Sequence, residues 1–217
     1  MFLYWTDKMS KTDSYKKENG EEKVKRTDDW RHSLGNHVTM PIASFLAKLH
    51  LTPDALTWMG LLFSFGALAL LFTDHLIWCG VVTLAGALFD SLDGALARYT
   101  NNITIFGGIL DSTLDRLSEG LMFGGISVWF AMQGNWIACA VTVAAVVMSY
   151  MVSYIRARAE AASIECSCGI FTRAERIAVM VLGLLTGFVF YAMIIIAFLS
   201  TVTAGQRLAR VYRNTKK

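Results

Sequence analysis

Proline is almost missing from this 217-residue chain: Pro41 and Pro53 are the only two. With so few helix breakers, nearly all of it could be helical. Charge is scarce too, at 17%, against about 25% in an average soluble domain. Cysteine offers no framework. Two of the four, Cys79 and Cys139, sit in apolar runs, where the thiol acts as a small hydrophobe, and Cys166-x-Cys168 is too close and too isolated for a typical zinc site. Met1–Trp5 is far shorter than an apolar signal-peptide core of about 7–15 residues, so no signal peptide is expected. A net charge of only +3 gives no footing for a nucleic-acid partner. What is abundant is hydrophobic residues, at 54%, with a mean hydropathy of +0.45. These balances exclude a disordered protein, a disulfide scaffold and an ordinary soluble enzyme. They describe a polytopic, all-α membrane protein.

A bilayer core takes about 20 apolar residues per helix. Six segments qualify between polar breaks: residues 55–72, 76–97, 106–132, 136–155, 177–187 and 188–204. The fifth is short, so its helix is expected to begin within Thr172–Arg176. A single longer span over 181–204 is the alternative to a break at Thr186-Gly187. Basic residues alternate along the connections. The region through Pro53 holds nine Lys and Arg, Thr73-Asp74-His75 none, the second connection Arg98, Gln133-Gly134-Asn135 none, the fourth four arginines, and the C-terminal end five. Because cytoplasmic loops are rich in Lys and Arg, this fits a six-helix bundle in the cell membrane with both termini cytoplasmic.

The flanks differ in kind. Residues 1–29 are dense in charge and could bury no core, so a disordered cytoplasmic tail is expected. Over residues 30–50, Trp30, Leu34, Val38, Ile42, Phe45, Leu46 and Leu49 recur at helical spacing. That suits an amphipathic helix in the headgroup plane or one packed on the bundle. The bundle proper is expected over 51–205, with a basic cytoplasmic tail over 206–217.

The decisive feature is acid inside apolar helices. Asp90, Asp93, Asp111 and Asp115 interrupt the second and third spans, with Glu119 one turn further on. An Asp at the centre of a spanning helix costs about 2.5–3.5 kcal/mol. Spacings of three and four put each pair on one helix face, and a short turn near Asn101-Asn102 sets the faces together. Salt bridges to Arg98 and Arg116 alone would leave four aspartates under-neutralised. Convergent carboxylates without His or Cys point to Mg²⁺ or Mn²⁺, which shares its shell with phosphates. Gly94 and Gly107-Gly108 leave room for close approach, and the Arg98 guanidinium suits a phosphate. A transporter also places acids in the membrane, but typically near the midplane.

Asp90-x-x-Asp93-Gly94-x-x-Ala97-Arg98, eight residues, Gly107, three residues, Asp111, three residues, Asp115 resembles the CDP-alcohol phosphotransferase signature at all eight fixed positions over 26 residues. The resemblance covers about residues 30–205. It implies transfer of a phosphatidyl-type group from a CDP-linked lipid to an alcohol, with release of CMP. It also implies that Asp90, Asp93, Asp111 and Asp115 hold two divalent cations and that Asp115 is the base. Gly94, Ala97 and Arg98, with Asp54 and Thr57, would line the CDP-lipid site; for Asp54, helix N-capping after Pro53 is a compatible role. Dimers are common among relatives, so a homodimer is one state open to the chain.

The acceptor is read from the remaining basic groups. Arg116, Ser153, Arg156 and Arg176 would make a pocket for an anionic alcohol, although arginines at a cytoplasmic interface also serve as anchors. For Arg158 and Arg173, anchoring is the leading reading. The stretches Asp111–Arg116, Ser153–Glu160 and Arg173–Arg176 resemble the branch that makes phosphatidylinositol phosphate and its archaeal counterpart. That implies inositol phosphate as acceptor, with Ser153, Arg156 and Arg176 on its phosphate. Glycerol 3-phosphate is the alternative acceptor, and the donor could be CDP-diacylglycerol or CDP-archaeol. A non-catalytic lipid- or nucleotide-binding membrane protein is the alternative of a different class, disfavoured by the intact set of aspartates.

Overall fold

The computed structural model describes Ile42, Ser44, Leu46–Lys48, residues 51–164, Cys166 and residues 168–216. Every regular element among them is helical. The six helices are α1 (Pro53–Phe72), α2 (Leu76–Tyr99), α3 (Ile105–Met132), α4 (Trp136–Ala161), α5 (Arg173–Thr186) and α6 (Val189–Thr215). Ile42, Ser44 and Leu46–Lys48 are helical as well. Leu46 is buried against Leu56 of α1 and Leu96 of α2, which ties this stretch to the bundle. The tail expected over 1–29 lies outside the described residues, as does most of the amphipathic helix expected over 30–50.

Local chemistry sets the helix ends. Thr52 caps α1, its side chain accepting from the Ala55 amide at 3.3 Å, and Pro53 follows at a first-turn position where its missing N–H costs nothing. Asp54 is therefore not the cap. Thr104 caps α3 by accepting from the Gly107 amide at 2.9 Å. A Cβ on Gly107 would come within 2.9 Å of that same oxygen, so this turn is built for glycine. Between α5 and α6, Gly187 takes φ 78°, a left-handed conformation that ends α5 at little cost. The break at Thr186-Gly187 is thus real, and α5 begins at Arg173, within the stretch expected from sequence.

The helices pack in a closed ring: α1 on α2 and α3, α2 on α5, α5 on α6, α6 on α4, and α4 on α3. All six feed one apolar core, among them Leu71, Cys79, Phe123, Ala145, Leu184 and Ile196. The outside is apolar too. Leu62, Trp78 and Phe198 lie on it with 66%, 61% and 66% of their surface exposed, as lipid contact requires and water would not favour. Four helices, α1, α2, α4 and α6, are long and apolar enough to cross a membrane. α3 is long but carries Asp111, Asp115, Arg116 and Glu119, and α5 has 14 residues, about 21 Å. Two helices outrun the hydropathy. α4 continues past Ile155 to Ala161, and α6 runs through the region set aside as a basic tail, to Thr215. Gln206-Arg207-Leu208-Ala209-Arg210 are strong helix formers even where they cease to be apolar.

Candidate active site

The ring brings one end of every helix to a common polar region. The start of α1, the end of α2, the start of α3, the end of α4, the start of α5 and the later part of α6 meet there. Carboxylate oxygens of Asp90, Asp93 and Asp111 lie within 4.8 Å of one another. Thr57 donates to Asp93 Oδ2 at 2.8 Å and so orients it across the α1–α2 contact. Three converging hard oxygens, with no imidazole or thiolate in the group, fit a divalent cation such as Mg²⁺ or Mn²⁺. Cys166 and Cys168 are free thiols outside this group. Burial pushes the Cys166 thiol above its ordinary value, which favours the inert form.

Asp115 falls outside that group of three but is joined to Asp90 through an arginine. Arg173 Nη1 lies 2.7 Å from Asp115 Oδ2 and 2.7 Å from Asp90 Oδ2, bridging α2, α3 and α5. Asp115 Oδ1 is buried and has no hydrogen-bond partner among the described residues. The salt bridges considered from sequence, to Arg98 and Arg116, are not the ones made. Arg116 Nη1 donates instead to the Ser112 carbonyl in its own helix. Sequence reasoning assigned Arg173 to interfacial anchoring and missed this contact.

Two cavities meet at the carboxylates, with Asp111 in the wall of both. The first, about 250 Å³, lies between α1, α2 and the start of α3. Asp54, Thr57, Asp93, Gly94, Ala97, Arg98 and Gly108 all line it. The second, about 360 Å³, opens between α3, α4, α5 and α6. Arg116, Ser153, Arg156 and Arg176 line it together with Asp115, Arg173 and Arg207. The residues grouped from sequence for a CDP-lipid thus share one cavity, and those grouped for an anionic acceptor share the other.

The arginines of the second cavity are not equivalent. Arg156 is exposed and pairs with Glu160 at 2.7 Å, one turn along α4. Arg176 is 1% exposed and makes a fork to Glu119, Nε to Oε1 at 2.7 Å and Nη2 to Oε2 at 3.1 Å. Arg207 is buried, with Nε donating to the Cys168 carbonyl at 2.9 Å and Nη1 to the Val152 carbonyl at 2.6 Å. The sequence does not distinguish Arg207 from Arg210 as a C-terminal contributor to the acceptor site; the only signal there is a basic residue just beyond the last apolar run.

The family follows from comparison with known proteins. Residues 50–204 match the CDP-alcohol phosphatidyltransferase family. This chain belongs to that family. It is therefore an enzyme of the CDP-alcohol phosphatidyltransferase type. Among its relatives is a phosphatidylinositol phosphate synthase from Mycobacteroides abscessus, 38% identical over 185 residues, covering 80% of this chain and 83% of the relative. An archaetidylinositol phosphate synthase from Pyrococcus horikoshii is 39% identical over 168 residues, covering 77% and 87%. The crystal structure of Mycobacterium tuberculosis phosphatidylinositol phosphate synthase with CDP-DAG bound superposes with a TM-score of 0.75 at 34% identity, over 81% of this chain and 94% of that one. The same mycobacterial enzyme in complex with manganese and citrate also gives 0.75 at 34% identity, over 81% and 89%.

Proposed function

We propose that this transferase moves a phosphatidyl-type group from a CDP-linked lipid to a hydroxyl of inositol phosphate and releases CMP. It does so at the cytoplasmic face of the cell membrane, with six spanning helices and both termini on that side. The observation that carries this reading is the pair of cavities that meet at Asp111, the first lined by six of the eight signature residues and the second by Asp115 and a set of arginines. The synthase relatives and the CDP-DAG-bound neighbour support the same assignment of donor and acceptor.

In this reading the first cavity takes the CDP portion, with Thr57, Gly94, Ala97 and Arg98 around it and the lipid tails passing to the apolar exterior. The amino ends of α1 and α3 border the same cavity, and their free amides favour the diphosphate. Arg156, Arg176 and Arg207, with Ser153 and Arg116, hold the acceptor phosphate. Glu119 fixes the Arg176 guanidinium, so its orientation is set before the acceptor arrives. Asp90, Asp93, Asp111 and Asp115 would hold two divalent cations, Mg²⁺ or Mn²⁺, whose charge would stabilise the diphosphate and the departing CMP. Asp115 borders the acceptor cavity with one oxygen unpartnered, which suits a base taking the hydroxyl proton. The acceptor oxygen then bonds to the phosphatidyl phosphorus as the bond to the CMP oxygen breaks.

The test is CMP release by the purified protein in detergent with CDP-diacylglycerol and Mg²⁺ or Mn²⁺. Inositol 1-phosphate, free inositol and glycerol 3-phosphate are offered in parallel, and the lipid product is identified by mass. Phosphatidylinositol phosphate as the product is expected. Product with glycerol 3-phosphate and none with inositol phosphate would overturn the acceptor assignment while keeping the chemistry.

A further inference from the structure

Arg173 opens α5, and a cation at the positive end of a helix is misplaced as far as that helix is concerned. Glu175 already serves the helix start by accepting from the Thr172 amide at 2.8 Å, so α5 needs nothing from the arginine. What the guanidinium does instead is lie between two carboxylates from other helices. One nitrogen, Nη1, approaches Asp90 Oδ2 and Asp115 Oδ2, each at 2.7 Å. Both sides of this bridge are left incomplete: Arg173 Nε and Asp115 Oδ1 are buried without hydrogen-bond partners among the described residues. A constitutive structural bridge would be expected to satisfy both, since a buried unpaired polar atom costs about 1–3 kcal/mol. The carboxylates of Asp90, Asp93 and Asp111 converge without placing Asp115 among them.

We infer that Arg173 is a resident counter-cation of the active site. It occupies the position between Asp90 and Asp115 until a second divalent cation enters, and it must withdraw for that cation to bind. This rests on the two-cation reading proposed above. Its physical content is a competition. Four carboxylates brought together in a low-dielectric region repel, and the single guanidinium offsets only half the charge of the Asp90–Asp115 pair, while Asp90 also belongs to the cluster of three that receives the first cation. The first cation then meets a prepared cluster, whereas the second must displace an ion pair and binds more weakly. The residue already lines the acceptor cavity, so a guanidinium released from the carboxylates is placed to meet the acceptor phosphate there. Entry of the second cation is thereby coupled to completion of the acceptor pocket.

The experiment is a Mn²⁺ titration of metal-stripped protein, followed by the paramagnetic resonance signal of free Mn²⁺, in wild type, Arg173→Gln and Arg173→Lys. Thermal melting with and without saturating Mn²⁺ accompanies it. Wild type should bind two ions, the second more weakly. Arg173→Gln should tighten the second affinity about tenfold or more and the first by less, because Arg173 contacts Asp90 of the first cluster but bridges it to Asp115. Its melting temperature should fall without metal and recover when Mn²⁺ saturates. Arg173→Lys keeps the charge without the rigid fork and should lie between the two. It also carries the test if the glutamine variant does not fold without metal. A second affinity that is unchanged or weaker in both variants, while wild type binds two ions, overturns the inference alone. A wild type that binds one ion overturns the two-cation reading together with the inference.

Discussion

Asp115 and Asp90 share one arginine, yet their proposed roles separate under substitution. Asp115→Asn keeps the shape but removes the base, so kcat should fall at least about 100-fold while CDP-lipid binding persists. Asp90→Asn should weaken metal-dependent donor binding as well, and equilibrium binding of CDP-diacylglycerol beside turnover checks both. Full activity in the Asp115 variant would remove it as the base. Glu119 makes a different prediction. With the Arg176 and Glu119 side chains 1% and 2% exposed, Glu119→Ala strands a buried guanidinium and should cost about 3–5 kcal/mol, read as a fall in melting temperature. The aspartates were legible in the sequence because four carboxylates in apolar spans outnumber the arginines that could pair with them there. Arg173 was not, because an arginine at a cytoplasmic helix end is accounted for by interfacial anchoring. Its partner Asp90 lies 83 residues away, and only the packing of α5 on α2 brings them together.

The elements place these residues through close helix contacts. Gly183 of α5 faces the start of α6, and a Cβ there would fall 2.5 Å from Ala192 Cβ and 3.5 Å from the Val189 backbone. Gly183→Val should therefore push the α5–α6 hairpin apart and cost about 1–3 kcal/mol. Thermal melting measures that cost, and because α5 carries Arg173 and Arg176, acceptor KM should rise with it. Wild-type stability in this variant would mean that α6 can shift without penalty. Helix number and order were readable from the apolar runs, and so was the break at Gly187. The ends of α4 and α6 were not. Hydropathy reports where lipid contact stops, whereas helix propensity and tertiary packing decide where the helix stops, here six residues past Ile155 in α4 and in the charged stretch to Thr215 in α6.

At the scale of the whole molecule, the closed ring does what no single helix could. It turns polar side chains from all six helices toward one end and keeps an apolar surface around them. The two-cavity arrangement was only partly legible. Signature spacing grouped the donor residues, because they fall within one hairpin and the start of α1. The acceptor side draws on α3, α4, α5 and α6, so Arg207 could be placed only once the ring had closed.

The central claim is that one row of carboxylates serves a donor cavity and a separate acceptor cavity. The most direct measurement is steady-state CMP release by Arg98→Ala and Arg156→Ala, with donor and acceptor varied in turn. Arg98 lines only the first cavity and Arg156 only the second. A crossed result is expected: Arg98→Ala raises the CDP-lipid KM about tenfold and barely moves the acceptor KM, while Arg156→Ala does the reverse. Both variants shifting the same KM, or neither shifting any, would contradict the account.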